Sequence, residues 1–136
     1  MLKSITKLIA VFALSCFIFA CGGGEDKGVY FVNINDGDTL TSPFKVEMGV
    51  TGMEVEPAGA VNEGKGHHHL IIDGSWLEVG EVVPADEKNI HYGGGQTITD
   101  DITLEPGTHT LTLQFADGFH ASYGEEMSKT ITVTVE

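Results

Sequence analysis

Thr108–Asp117 reads THTLTLQFAD, and this stretch carries the clearest secondary-structure signal in the chain. Its odd-numbered positions hold His109, Leu111, Leu113 and Phe115, and threonines fill most of the positions between them. An alternation with a period of two places successive side chains on opposite faces of a β-strand. The stretch therefore predicts a strand with one buried face.

Several other segments show the same alternation, and no segment shows the 3.6-residue period of a helix. We predict strands at residues 29–34, 43–50, 67–73, 96–104 and 129–136. About seven short strands separated by turns are typical of an all-β fold. We expect an immunoglobulin-like antiparallel β-sandwich over residues 29–136. Two long irregular stretches, residues 52–66 and 78–95, are candidates for functional loops.

The N-terminal residues resemble a bacterial lipoprotein signal. Residues 1–20 contain two lysines followed by a short apolar run, which is typical of a signal peptide. Cys21 follows as the expected site of lipidation, and the glycine-rich residues 21–28 form the expected tether. We therefore expect an envelope lipoprotein, anchored in the membrane and facing the periplasm or the cell surface.

The chain is strongly acidic, with a formal net charge of −13, and its seven basic residues are all lysines. We expect no nucleic-acid binding, because binding to phosphates requires many cationic side chains. Cations are the favoured small partners on electrostatic grounds. An acidic surface that keeps an exported protein soluble explains the charge equally well.

Six histidines fall between positions 67 and 120, and three of them are consecutive. On a strand, His67 and His69 share one face, so both can bind one metal ion, whereas His68 points the other way. The predicted metal ligands are His67, His69, His91 and His109. Imidazole ligands without cysteine suit zinc or copper, and these are the expected cofactors.

His109 and His120 lie near opposite ends of one predicted strand. Unless the chain doubles back, at most one of them can join the His67–His69 pair. Further residues are expected to support the site or to add a ligand: His68, Asp73, Gln96, Asp117 and His120.

The chain resembles a bacterial family of small exported proteins that contain a domain of unknown function. The resemblance rests on GHHHLIID (residues 66–73), HYGGGQT (91–97) and PGTHTLTLQFAD (106–117), which occur in the family's order. It implies the motif residues His67, His68, His69, Asp73, His91, Gly93, Gly95, Gln96, Thr97, Pro106, Gly107, His109, Asp117 and His120. Relatives often continue with a Pro-His pair after the last histidine. This chain has ASYGEEM there, so Glu125 or Glu126 would replace any ligand from that pair.

Two functions remain open from the sequence. The first is a metal-binding module that uses the histidines. The second is a non-catalytic interaction module that binds an envelope protein or a glycan through residues 91–96 and Trp76, with the histidines in a structural hydrogen-bond network. We expect no enzymatic activity, because the serines lack a nucleophile-elbow context and no His-Glu-x-x-His motif is present.

Overall fold

The computed structural model describes residues 26–136, and this part of the chain is all-β. It contains eight strands and one 3₁₀ helix, Glu125–Met127. The strands are β1 (Gly28–Phe31), β2 (Thr39–Leu40), β3 (Met48–Thr51), β4 (Glu54–Val55), β5 (Lys65–Ile72), β6 (Asn89–His91), β7 (Gly107–Ala116) and β8 (Ser128–Val135). The predicted all-β class is confirmed.

The N-terminal predictions fall on residues that the structure does not describe. The expected signal peptide, residues 1–20, and the expected lipidation site, Cys21, both lie outside the described residues. Within residues 26–136, no helix has the length and apolar character needed to span a membrane.

Six strands form one sheet: five follow the order β2-β8-β7-β5-β4, and β6 pairs directly with β5 at residues 69–71, whereas β4 pairs with β5 at residues 65–66. The long strands β5, β7 and β8 pair antiparallel, as the sequence predicts. The two-residue strands β2 and β4 instead pair in parallel, with β8 and β5 respectively. The sheet is therefore mixed, and the expectation of purely antiparallel pairing is corrected.

A smaller two-stranded sheet, β1 with β3, contributes Val29 and Met48 to the same apolar core as the large sheet. The strand predicted at residues 96–104 does not form a continuous ladder. It meets residues 44–47 through two single bridges, Phe44 with Ile102 and Glu47 with Ile98. These bridges are three residues apart on one segment and four apart on the other, so the register shifts between them and the ladder is interrupted.

Strand β5 is buried on both of its faces from Gly66 to Ile72. Leu70 and Ile72 point into the apolar core, as does His68, whose ring contacts Phe115. His67 and His69 occupy the opposite face and are completely buried. β5 lies inside the sheet, and both of its faces are covered. Its side chains therefore determine whether the interior on each side of the sheet is apolar or polar.

Residues 74–83 cover the histidine face of the sheet. The Thr112 hydroxyl donates to the Gly74 carbonyl at 3.0 Å, and the Leu77 N–H donates to the side-chain oxygen of Gln114 at 3.0 Å. In the predicted loop at residues 78–95, the Gly80 and Val83 N–H groups donate to the carbonyls of Ser122 and His120 at 2.8 and 2.9 Å, so this loop supplies part of the cover.

The chain reverses immediately after β7. The Asp117 N–H donates to the Ala121 carbonyl, and the His120 N–H donates to the Asp117 carbonyl, each at 2.9 Å. The Asp117 carboxylate also accepts the N–H groups of Phe119 and Ala121, at 2.8 and 3.0 Å. An aspartate that binds following backbone N–H groups stabilises a turn, and this turn carries His120 back over β5.

Gly118 in this turn packs directly against the backbone of Ala60, so that a Cβ atom at position 118 would collide with the Ala60 carbonyl. We expect Gly118→Ala to lower the free energy of unfolding by about 2 kcal/mol, because backbone atoms must move to accommodate the methyl group. Urea denaturation measures the change. Gly28→Ala is the matched control, since its nearest neighbour would be the Glu126 carbonyl at 3.9 Å. Equal midpoints for the two variants would contradict the close approach.

Candidate metal centre

Three imidazole nitrogens converge on the buried polar face of β5. The Nε2 atoms of His67 and His69 lie 3.0 and 3.3 Å from Nδ1 of His120. One nitrogen from each of the three residues lies within 4.8 Å of the other two. His67 and His69 are fully buried, and His120 is partly exposed. The group is reached from solvent on the side of His120.

The spacing of these nitrogens fits a metal ion. Zinc–nitrogen bonds of about 2.0–2.1 Å in tetrahedral geometry place neighbouring ligand nitrogens about 3.3–3.4 Å apart. The distances from His120 Nδ1, 3.0 and 3.3 Å, are at or slightly below that separation.

The surroundings favour the neutral form of each imidazole. Burial, followed by repulsion from His120 and His91, lowers the pKa of His67 to about 4. Burial and the neighbouring histidines lower the pKa of His69 to about 2. Burial and His91 also lower the pKa of His120. Neutral imidazole is the form that binds metal ions, so all three lone pairs are available near pH 7.

The same contacts can be read as hydrogen bonds within the cluster. A neutral imidazole has one N–H and one lone pair, so His120 Nδ1 forms one well-directed hydrogen bond although two Nε2 atoms lie within reach. A metal ion uses all three lone pairs at once. Within residues 26–136, the Nδ1 atoms of His67 and His69 have no hydrogen-bond partner under either arrangement. They therefore do not distinguish the two.

His91 forms one wall of this cluster. It lies on β6, directly opposite His69 in the ladder, and its ring centroid is 4.5 Å from that of His69 and 4.6 Å from that of His120. Its Nε2 donates to the Pro84 carbonyl at 3.0 Å, since a carbonyl can only accept. The predicted ligand His91 thus adjoins the site without being one of the three convergent donors.

His120 has a backbone φ of 67°, in the left-handed region that residues other than glycine rarely occupy. The turn at Asp117 and a hydrogen bond of 2.9 Å from the Val83 N–H to the His120 carbonyl hold this conformation. Strained backbone of this kind is concentrated at functional sites. Asp117, expected as a supporting residue, acts by building this turn.

His109 is the predicted ligand that the structure places elsewhere. It lies near the other end of β7, where its Nδ1 contacts the Asp73 carboxylate and its Nε2 contacts the Glu105 carbonyl, both at 2.9 Å. Both partners are acceptors, so His109 carries a proton on each nitrogen. The expected grouping of His109 with His67 and His69 is corrected: His120 takes that place.

The remaining predicted residues also lie apart from the three nitrogens. His68 faces the apolar core, where its ring centroid is 5.1 Å from that of Phe115 and burial lowers its pKa to about 4. The side-chain oxygen of Gln96 accepts the Gly94 N–H at 2.8 Å within its own loop. Asp73 accepts the Thr110 N–H in addition to its contact with His109.

Gln114 is a buried polar residue that the sequence reasoning missed. It lies opposite His69 in the β5–β7 ladder and is fully buried. Its amide nitrogen donates to the carbonyls of Gly124 and Met127 at 3.1 and 3.3 Å. Gln114 therefore binds the residues that follow the His120 turn to the histidine face. Its only signal was a long polar side chain among the threonines of β7.

The model of a domain of unknown function, DUF4399, matches residues 46–136. The chain belongs to the DUF4399 family. This confirms the resemblance predicted from the sequence, and the matched region contains all six histidines. No curated protein matches this DUF4399 chain.

Among solved structures, the DUF4399 chain is similar to an endo-β-1,4-mannanase from Thermotoga petrophila, with a TM-score of 0.48 and 14% sequence identity. The similarity covers 84% of this chain and 21% of the mannanase chain, so this chain spans about a fifth of that enzyme.

The contact between His109 and Asp73 predicts a pH-dependent contribution to stability. Hydrogen bonds to Asp73 and to the Glu105 carbonyl raise the pKa of His109. Its contribution is therefore complete below the ordinary histidine pKa of about 6.5 and is lost as pH rises through the raised value. We expect His109→Gln to lower the melting temperature more at about pH 6 than at about pH 9.

The difference between wild type and variant is the informative quantity, because the buried histidines of the cluster impose the opposite pH dependence on both proteins. Asp73→Asn provides the control. In that background, the effect of His109→Gln should depend less on pH, because only the hydrogen bond to the Glu105 carbonyl still raises the pKa of His109. If the difference in melting temperature between wild type and His109→Gln did not change with pH, the doubly protonated form of His109 would be contradicted.

Proposed function

We propose that this DUF4399 domain binds a transition-metal ion, zinc or copper, through His67, His69 and His120. The observation that carries the proposal is the convergence of three neutral, largely buried imidazole nitrogens within 4.8 Å of one another, with the two distances from His120 Nδ1 close to the ligand–ligand separation of a tetrahedral zinc site. A cluster of this kind gains from a cation, because the ion accepts one lone pair from each ring, whereas the three nitrogens form only one well-directed hydrogen bond among themselves.

The donor set supports zinc or copper over the hard cations. Imidazole nitrogen suits zinc, copper and nickel, whereas calcium and magnesium prefer oxygen donors. The three donors are all nitrogen, and the described residues contain no cysteine to supply a thiolate. The protein residues would hold the ion and keep it partly shielded from water, since two of the three rings are fully buried.

The second candidate is a structural network, and one distance favours it. His67 Nε2 lies 3.0 Å from His120 Nδ1, which is an ordinary hydrogen-bond length. In that case the histidines would fasten the His120 turn to β5. The function would then lie in binding an envelope protein or a glycan through residues 91–96 and Trp76.

We also propose the cellular setting and the finer architecture. The basic start, apolar run and Cys21 support an envelope lipoprotein anchored in the membrane. The two-stranded sheet that shares a core with the large sheet supports a distorted immunoglobulin-like sandwich. An enzymatic role is not part of the proposal.

Single-ligand variants test the metal site. We expect His67→Ala, His69→Ala and His120→Ala each to weaken Zn²⁺ or Cu²⁺ binding by at least about 100-fold, because each removes one of three donors. Calorimetric titration of chelator-stripped protein measures the affinity. His109→Ala is the matched control and should retain wild-type affinity, since both nitrogens of His109 are occupied. Equal losses in all four variants would contradict the proposed ligand set.

The same variants separate the two candidates in metal-free buffer. A structural network predicts that His67→Ala and His120→Ala lower the melting temperature without metal. The metal site predicts that wild type gains stability when the ion is added and that the variants do not. If saturating zinc and copper leave the wild-type melting temperature unchanged, the structural network is supported and the metal site is contradicted.

The proposed anchor has its own test. Cells fed labelled palmitate should incorporate the label into the wild-type protein and not into a Cys21→Ser variant, because the thiol is the expected acceptor. Labelling of the Cys21→Ser variant would rule out this cysteine as the lipidation site.

A further inference from the structure

We infer that a metal ion held by His67, His69 and His120 keeps its fourth coordination position open to a small anion, with His91 as the wall of that position. The inference rests on the proposed function. Three protein ligands with one exchangeable position are typical of zinc sites that bind external ligands, whereas structural zinc sites are closed by four protein ligands.

Among residues 26–136, no protein donor fills the fourth coordination position. Within residues 26–136, the three histidines form the complete group of histidine, cysteine and carboxylate donors that share this position. Two nearby side chains lie outside this group. His91 donates its Nε2 proton to the Pro84 carbonyl at 3.0 Å, and its other ring nitrogen does not join the three that lie within 4.8 Å of one another. One oxygen of the Asp117 carboxylate is bound by the N–H groups of Phe119 and Ala121.

The charge of a bound ion also favours an external anion. Three neutral imidazoles do not reduce the charge of a divalent ion, whereas a thiolate or carboxylate ligand would. A divalent charge beside two fully buried rings is costly unless an anion compensates for it. The ion therefore favours a negatively charged fourth ligand, such as hydroxide or azide, even though the whole chain has a formal net charge of −13.

An external ligand can reach the cluster from one side. His67 and His69 are closed off by the sheet and by residues 74–83, whereas His120 and His91 are both partly exposed. The His91 ring packs against both His69 and His120, with centroid distances of 4.5 and 4.6 Å. It therefore lies next to the partly exposed side of the cluster. Its hydrogen bond to Pro84 holds the ring in that place.

Cobalt(II) substitution tests the open position without relying on any activity. Co²⁺ replaces zinc in nitrogen sites, and its visible absorption responds to ligand number and identity. We expect the Co²⁺-loaded full-length protein to change its visible spectrum saturably when azide is added. A Co²⁺ spectrum that stays constant at high azide would overturn the open position while leaving the metal site intact. Failure to bind Co²⁺, Zn²⁺ or Cu²⁺ would overturn the proposed function and this inference together.

Two variants of His91 test its role as a wall. His91→Phe keeps a ring of similar size without nitrogen, and His91→Ala removes the ring. We expect both to retain wild-type Co²⁺ affinity, and we expect His91→Ala to bind azide more tightly than His91→Phe. A loss of Co²⁺ affinity of about tenfold or more in His91→Phe, equal to about 1.4 kcal/mol, would instead make His91 the fourth ligand.

Discussion

Burial of β5 on both faces is the constraint on which the rest of the structure depends. Its core face continues the apolar interior through Leu70 and Ile72. Its other face presents His67 and His69, which are as fully buried as the core residues. A polar face of this kind requires a cover that supplies polar partners, and two irregular segments provide it. Residues 74–83 and the turn at Asp117 are therefore parts of the fold, although they belong to no strand.

The buried histidines on both faces of β5 reduce the stability of the fold. A buried nitrogen without a partner costs about 1–3 kcal/mol. Within the described residues, four buried ring nitrogens of His67, His68 and His69 have no partner. Metal binding does not satisfy these four atoms. It acts on the three convergent nitrogens, where binding free energy adds directly to the stability of the folded state.

The sequence was a good guide wherever local periodicity decides the outcome. The alternation in β7 and β8 and the shared face of His67 and His69 follow from a period of two. The two- and three-residue strands β2, β4 and β6 are too short to show any period. Residues 96–104 alternate but meet residues 44–47 only through single bridges. Pairing depends on which segment lies alongside, and that information is not local.

The division of the histidines depends on surroundings in the same way. The sequence favoured His109 as the ligand and His120 as a supporting residue, and the reversal at Asp117–Gly118 exchanges these roles. His109 meets two acceptors, Asp73 and the Glu105 carbonyl, and therefore holds two protons and has no lone pair for a metal. The side-chain contacts of His67 and His69 Nε2 are with the ring of His120, and burial lowers the pKa of both residues, so that each keeps a lone pair. A histidine is available as a ligand when its surroundings leave one ring nitrogen without a proton, and residue spacing alone does not specify those surroundings.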